Sequence, residues 1–425
     1  MREMRDSGID WIGQIPSTWK ITKIKAHYKI GSGTTPKSDV PEYWDGDIIW
    51  ITPADFKTDD VYVSAGHRSI SQEGFNDSSL EVIPAGNIIF SKRAPIGQVV
   101  INKVDLCTNQ GCLTLVNNDK SENRYYRYLL SIATEIFELI SGGTTFKEVS
   151  ANSFGNVFLP TPHFDEQIRI ADYLDKKCSQ IDNIIVKQKE IIEKLSEYKQ
   201  SVITEAVTKG LDKKCSMKDS GYKWIGEIPS HWKMVYAKQL FSQRKDRAFE
   251  NDEQLTSSQK YGIISQSKFM EIEGRQVMQV IKGEEILKHV EKGDFVISMR
   301  SFQGGLEYSE ISGKISSAYV MLIPNSHLVY DRYYKWLFKC NRYITALQGT
   351  SNLIRDGQAL RFSNFVQVYL PMLDKEEQKA IADYLDIVCP KIDQEIAKRE
   401  MMLSKIQEYK RALIYETVTG KREVS

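Results

Sequence analysis

The chain has no apolar run near the roughly 20 residues that a membrane-crossing helix takes. Its opening, MREMRDSGIDW, is polar and mixed in charge, so no secretory leader is expected and the expected location is cytoplasmic. Cysteine is sparse, at positions 107, 112, 178, 215, 340 and 389, with no CxxC pair and no spacing shared with histidine. That pattern argues against a disulfide framework or a zinc module and favours reduced thiols. An excess of one charge is also missing: 57 Lys and Arg stand against 56 Asp and Glu, a net charge of +1. A strongly basic total would have advertised nucleic acid. Near balance neither supports nor excludes it, because local patches decide.

Catalytic signatures are missing as well. Gly31-Ser32-Gly33-Thr34-Thr35-Pro36-Lys37-Ser38 has the outline of a phosphate loop. Pro36 replaces the glycine before Lys37 and removes an N–H that should cradle phosphate. No GxGxxG opens a helix, no HExxH occurs, and the six histidines are scattered. The nuclease-like Glu-x-Lys of Glu197-Tyr198-Lys199 and Glu408-Tyr409-Lys410 lies inside helical stretches without an upstream carboxylate partner, so it reads as solvated helix face. The sequence points to a non-catalytic protein.

What is present is a duplication. The run from about Phe164 to Leu211 returns from about Lys375 to Lys421. Gln167 recurs as Gln378, Leu174 as Leu385, Cys178 as Cys389 and Tyr198 as Tyr409, a constant offset of 211 residues. Such repeats fix architecture before any other reading. Each copy carries a 4-3 apolar seam. The first runs through Leu174, Cys178, Ile181, Ile185, Gln188, Ile192, Leu195, Lys199, Val202 and Ala206. Several such heptads predict a coiled coil, whose polar seam positions (Gln188/Arg399, Lys199/Lys410) set register. The simplest burial of either stripe is against its twin, as a long two-helix rod inside one chain. Pro390 falls in the first turns of the second helix, where a kink or a delayed start is expected.

A second repeat precedes each helix. Trp11-Ile12-Gly13, Ile15-Pro16 and Trp19 return as Trp224-Ile225-Gly226, Ile228-Pro229 and Trp232, and read as packing anchors. Between this motif and a Leu-Pro pair (159–160, 370–371) lie variable regions at about 20–163 and 233–374. Short strand-like runs such as Asp47–Ile51, Asn87–Phe90, Gln98–Ile101 and Tyr319–Ile323, cut by Gly, Pro, Asn and Asp, give an α+β reading with a curved sheet and a few helices. The expected divisions are 1–163, a domain; 164–211, a helix; 212–374, a domain; and 375–425, a helix with its tail. Length alone suggests roughly three domains.

Loops suited to DNA combine basic, amide and hydroxyl groups with glycine. Arg and Lys match guanine edges, and Asn and Gln match adenine. Hydroxyls and backbone N–H groups position phosphates. In the first domain the candidates are Lys37, Lys92, Arg93, Gln98, Asn109, Gln110, Thr144, Thr145 and Lys147. In the second they are Arg244, Lys245, Arg300, Gln303, Ser316, Ser317, Thr350, Ser351, Asn352 and Arg355. The two domains align loosely, Asn109-Gln110 with Ser316-Ser317 and Gly143-Thr144-Thr145 with Gly349-Thr350-Ser351, so the frame repeats while loop chemistry differs. A scaffold whose two domains read protein surfaces is the alternative.

The doubled W-I-G-x-I-P-x-x-W, the L-P-x-x-x-x-x-E-Q-x-x-I-A-D-Y-L-D of Leu159–Asp175 and Leu370–Asp386, and the endings Val207-Thr208-Lys209-Gly210 and Val418-Thr419-Gly420-Lys421 resemble type I restriction–modification specificity (S) subunits. The resemblance covers the whole chain in the family's order. It implies two target recognition domains, each reading half of an asymmetric bipartite DNA site, and an antiparallel pair of helices as spacer. It implies no active site and no cofactor in this chain. Two methyltransferase subunits would dock on the helices and bring S-adenosylmethionine, and restriction subunits using ATP and Mg2+ would join them.

Overall fold

The computed structural model describes residues 2–57, 59–118, 121–143, 147–258, 260–274, 286–297, 306–350 and 360–424. The chain divides into two units, Met1–Gln188 with Met401–Ser425, and Lys189–Glu400. The division follows from the duplication: each long helix gives one half to each unit.

Both opening motifs fold as hairpins. Met4–Asp6 pairs antiparallel with Gln14–Pro16, and Met217–Asp219 with Glu227–Pro229. The glycines of the two W-I-G triplets hold φ of 69° and 73°, a region that a side chain disfavours. The Ser7 N–H donates to the Gly13 carbonyl (2.9 Å) and the Ser220 N–H to the Gly226 carbonyl (3.1 Å). Ile12, Ile15 and Trp19, like Ile225, Ile228 and Trp232, are buried, so the motif anchors packing as its apolar spacing predicts. The Leu-Pro strands close each domain: Phe158–Thr161 pairs with Lys20–Lys23, and Leu370–Met372 with Lys233–Val235.

Each domain is α+β. The sheet of the first runs in the order Tyr28–Ser32, Cys112–Asn117, Ile88–Ser91, Val99–Asn102, Tyr62–Val63, with only the last pair parallel. A smaller sheet orders Cys107–Thr108, Trp44–Ile51 and Arg68–Ile70. The second domain repeats the frame as Phe241–Arg244, Val320–Pro324, Phe295–Ile297, Glu307–Tyr308, all antiparallel. Central strands such as Ile88–Ser91 and Val99–Asn102 are buried at every position, because the helix Asn123–Ile132 covers one face and residues such as Ile51, Phe56 and Leu106 cover the second.

The helices run Phe164–Lys209 and Lys375–Val418. Pro390 lies within the second without interrupting it, so the expected delay does not occur. Within the first unit, residues 164–188 run antiparallel to 401–418: Lys410 Nζ reaches Asp182 (2.6 Å), while Arg2 bridges Glu166 and the Gly420 carbonyl (2.6 and 2.8 Å). Within the second, Lys199 Nζ reaches Asp393 (2.7 Å). These two ion pairs are the same pair in the two repeats. The polar seam lysines thus find carboxylates on the facing helix, as register-setting positions do. Seam residues Leu174, Cys178, Ile181, Leu385, Cys389 and Leu413 are buried.

Each helix ends on an opening motif. Gly420 and Gly210 hold φ of 75° and 73°, the left-handed cap that stops a helix. A Cβ on Gly420 would lie 2.4 Å from Pro16 and 3.0 Å from Trp19, and one on Gly210 3.5 Å from Trp232.

Candidate nucleic-acid interface

In the first unit, loops from distant stretches converge. Gly33 passes so close to the strand ending at Thr108 that a Cβ would meet the Thr108 carbonyl at 1.9 Å. The indoles of Trp50 and Trp44 donate to the carbonyls of Thr34 (3.1 Å) and Lys37 (3.2 Å), pinning the phosphate-loop mimic as a surface loop. Thr35 donates to the Gln110 side chain. The Asn109 N–H donates to the Ile51 carbonyl (2.9 Å), and the Lys92 N–H to the Gly111 carbonyl (3.0 Å). Lys92 and Arg93 share one carboxylate, Glu148, at 2.8 and 3.4 Å, which brings Lys147 beside them. The Lys92 hydrogen bond leads the effects that hold Glu148 below the usual carboxylate range. The Gln98 N–H is held by the Ser91 hydroxyl (2.8 Å), and its Oε1 is buried without a partner. Lys37 is exposed, 3.7 Å from Asp77. Lys37, Lys92, Arg93, Gln98, Asn109, Gln110 and Lys147 therefore belong to one linked set of loops, while Thr144 and Thr145 lie outside the described residues.

A neighbouring pair escaped the sequence reading. Asp55, with its side chain 4% exposed, accepts from the Thr52 N–H (2.7 Å), the Thr52 hydroxyl (2.8 Å), the His67 N–H (2.7 Å) and the His67 ring. Burial pushes the Asp55 pKa up, but the bonds from His67 and Thr52 outweigh it and lower it. The imidazole is thus oriented by a buried carboxylate while 83% exposed. Pro53 of the same turn lies against Gly111, which places this pair beside the Asn109 loop. A Thr-x-x-Asp capping pattern at 52–55 is the one local signal; nothing in the sequence connects it to His67.

In the second unit, Arg244 is already engaged. Its guanidinium donates to Asp294 (2.6 and 3.0 Å) and Asp246 (2.8 Å), and the Asp294 bond leads the effects that raise its pKa. Lys245 beside it is exposed. The Thr350 hydroxyl donates to the Leu347 carbonyl (2.7 Å), closing a helix end. Ser316 and Ser317 form the turn between Gly313–Ile315 and Val320–Pro324. Ser317 borders a hollow of about 620 Å3 whose polar lining is Lys238, Gln243, Lys288, Arg361 and Ser363, with Phe362 on its apolar side. Among the described residues no acid lines it. Burial lowers the pKa of Lys288, whose Nζ donates to the Tyr319 carbonyl (2.8 Å). Arg300, Gln303, Ser351, Asn352 and Arg355 lie outside the described residues.

Cations, amides and hydroxyls on glycine-rich turns can grip phosphates and read base edges. Among the described residues no cluster of acids, cysteines and histidines is arranged to hold a metal. The features define a class: an internally duplicated, two-domain recognition protein built on paired long helices. The profile of the family described as "Type I restriction modification DNA specificity domain" matches residues 16–197 and 229–400, and the chain belongs to that family. It is a type I specificity subunit, whose part is recognition rather than catalysis.

The chain is 23% identical over 430 residues to the type I restriction enzyme MjaVIII specificity subunit of Methanocaldococcus jannaschii, covering 97% of this chain and 94% of that one. It is 39% identical to the MjaIX specificity subunit of the same organism over 188 residues, 44% of this chain and 43% of the relative, so that match spans less than half of the relative's length. The fold is similar to that of a chain from a structure of type I R-M complex assembly and conformational transition (TM-score 0.72, 14% identity, 96% and 99% coverage). It is also similar to the HsdS subunit from Thermoanaerobacter tengcongensis (TM-score 0.52, 15% identity, 96% and 98% coverage).

Proposed function

We propose that each unit reads one half of a bipartite, asymmetric DNA site. The long helices set the number of base pairs between the halves and dock two methyltransferase subunits. Those partners bring S-adenosylmethionine, and restriction subunits that use ATP and Mg2+ can join them. The observation that carries this reading is one frame used twice with different loop chemistry. Where the first domain presents Asn109 and Gln110 between two strands, the second presents Ser316 and Ser317. Amides suit adenine edges, whereas serines position phosphates or accept either base. The hollow around Lys238 and Arg361, lined by no acid among the described residues, suits a phosphate backbone. With a net charge of +1 in the whole chain, bound partners would supply much of the remaining phosphate clamp.

The test is to express the chain with its methyltransferase and map N6-methyladenine across the genome. A motif with two short defined halves around a fixed undefined spacer is the expected result. Methylation without such a motif, or methylation unchanged when this chain is left out, overturns the reading. It would favour the protein-binding scaffold instead.

A further inference from the structure

Helices can set a spacing only if each reading domain is held firmly to its own helix segment. An apolar contact alone does this poorly, because it is non-directional. The contact here is apolar at its centre, where Tyr125 and Leu129 pack with Ile170 and Leu174. A polar fork surrounds it, and the fork occurs twice.

In the first unit, Arg124, on the helix Asn123–Ile132, donates to Asp172 (2.7 Å) and Asp175 (2.9 Å) of the long helix. The Tyr128 hydroxyl donates to the other oxygen of Asp175 (2.8 Å). The buried Gln167 accepts from the Glu122 N–H (2.9 Å). In the second unit, Arg332, on the helix Asp331–Leu337, reaches Asp383 (2.9 Å) and Asp386 (2.6 Å). The Trp336 indole donates to the other oxygen of Asp386 (2.7 Å), and the buried Gln378 accepts from the Tyr330 N–H (2.7 Å). A phenol and an indole thus reach the same acceptor in the two repeats, so the geometry is retained although the donor changed. These contacts account for the Gln, first Asp and second Asp of the doubled E-Q-x-x-I-A-D-Y-L-D.

The guanidinium fork is planar and directional, and resists both sliding and rolling of one helix on the other. Burial works against the Arg124 charge, but the bonds to Glu122, Asp172 and Asp175 outweigh it. Arg124 and Arg332 are partly exposed, so as ordinary surface pairs they would add little stability.

We propose that Arg124 and Arg332 are positioning residues for half-site spacing. Each locks a reading domain to the helix segment of its own unit, and neither touches DNA. The proposal rests on the DNA-reading function above. The test maps N6-methyladenine in cells carrying the full complex with Arg124→Ala, Arg332→Ala, or the milder Tyr128→Phe and Arg332→Lys, which leave the apolar contact intact. The bases of both half-sites are expected to stay unchanged. Sites with a spacer one pair longer or shorter become methylated, and the preference for the native spacer falls by roughly tenfold, the equivalent of about 1.4 kcal/mol. The milder variants give a smaller loss in the same direction. Variants that lower methylation evenly while keeping one spacer show a merely structural role and overturn the proposal, as does a change in half-site bases. A wild-type complex that marks no bipartite site overturns the DNA reading and the positioning role together, whereas a wild type with one fixed spacer, shared by all variants, overturns the positioning role alone.

Discussion

Two buried histidines place opposite pH dependences on the two units. In the first unit, His27 lies between the hydroxyls of Thr22 (2.6 Å) and Ser121 (2.8 Å), and burial lowers its pKa from 6.5. The unfolded chain then binds the proton more tightly than the folded one, so stability is lost as pH falls below about 6.5. In the second unit, burial also opposes the charge of His289, but Asp252 (2.8 Å) and Glu291 (3.3 Å) outweigh it and raise the pKa. Here the folded chain binds the proton more tightly. The gain is fully present below about 6.5 and is lost as pH rises through the folded value. His289→Gln should therefore cost most near pH 6 and progressively less toward pH 8.5, and His27→Gln should remove the loss of stability that His27 brings to the first unit as pH falls below about 6.5. Thermal melting from pH 5.5 to 8.5 checks both; equal losses at all pH values would contradict the assignment. Neither behaviour was legible in the sequence. A histidine's protonation depends on partners such as Asp252 that only folding supplies. The same holds for Arg244, whose residue type suits guanine and whose carboxylate partner Asp294 lies far along the chain. Asp55 and His67 were missed for the reverse reason, since their pairing depends on a turn and a strand whose approach no local pattern announces.

Elements were far more legible than residues, because periodicity is local. The 4-3 seam predicted both long helices to within a few residues of their observed ends at Lys209 and Val418. The polar breaks at Lys199 and Lys410 were visible too, but not their acceptors, Asp393 and Asp182, which lie outside the seam on the other helix. Pro390 misled because its missing N–H leaves one carbonyl of the preceding turn unpaired. The residue is exposed, so water can take that carbonyl's bond. The register role of the seam lysines has a direct check. Lys199→Glu places like charges together and should destabilise the second unit by about 1 kcal/mol. Adding Asp393→Lys should restore most of the loss. Urea unfolding of the single and double variants measures it, and a double variant no more stable than either single one would show that the pair does not hold register.

At the scale of the whole molecule, the duplication makes each recognition domain an insert with adjoining ends. Lys233 pairs with Met372 and Val235 with Leu370, so both borders of the second domain lie on one two-stranded ribbon. The first domain has the same construction, with Lys20 paired to Thr161 and Lys23 to Phe158. This modularity was legible from the doubled motifs, which bracket the variable stretches. Which loops converge was not, because Gly33, Lys92 and Asn109 are brought together by sheet topology rather than by spacing. Replacing 233–374 by the corresponding domain of another family member carries the ribbon over intact. The donor must keep an Arg and an aromatic donor for Asp383 and Asp386, and a tyrosine for the Val207 carbonyl, which Tyr333 now holds at 2.9 Å. With those contacts retained, a methyltransferase complex carrying the exchanged chain should methylate sites in which one half is new while the other half and the spacer are those of the parent. Mapping N6-methyladenine reads this directly. If both halves change, the domains do not read independently, and the repeated frame is a relic of duplication rather than the basis of two separate readings.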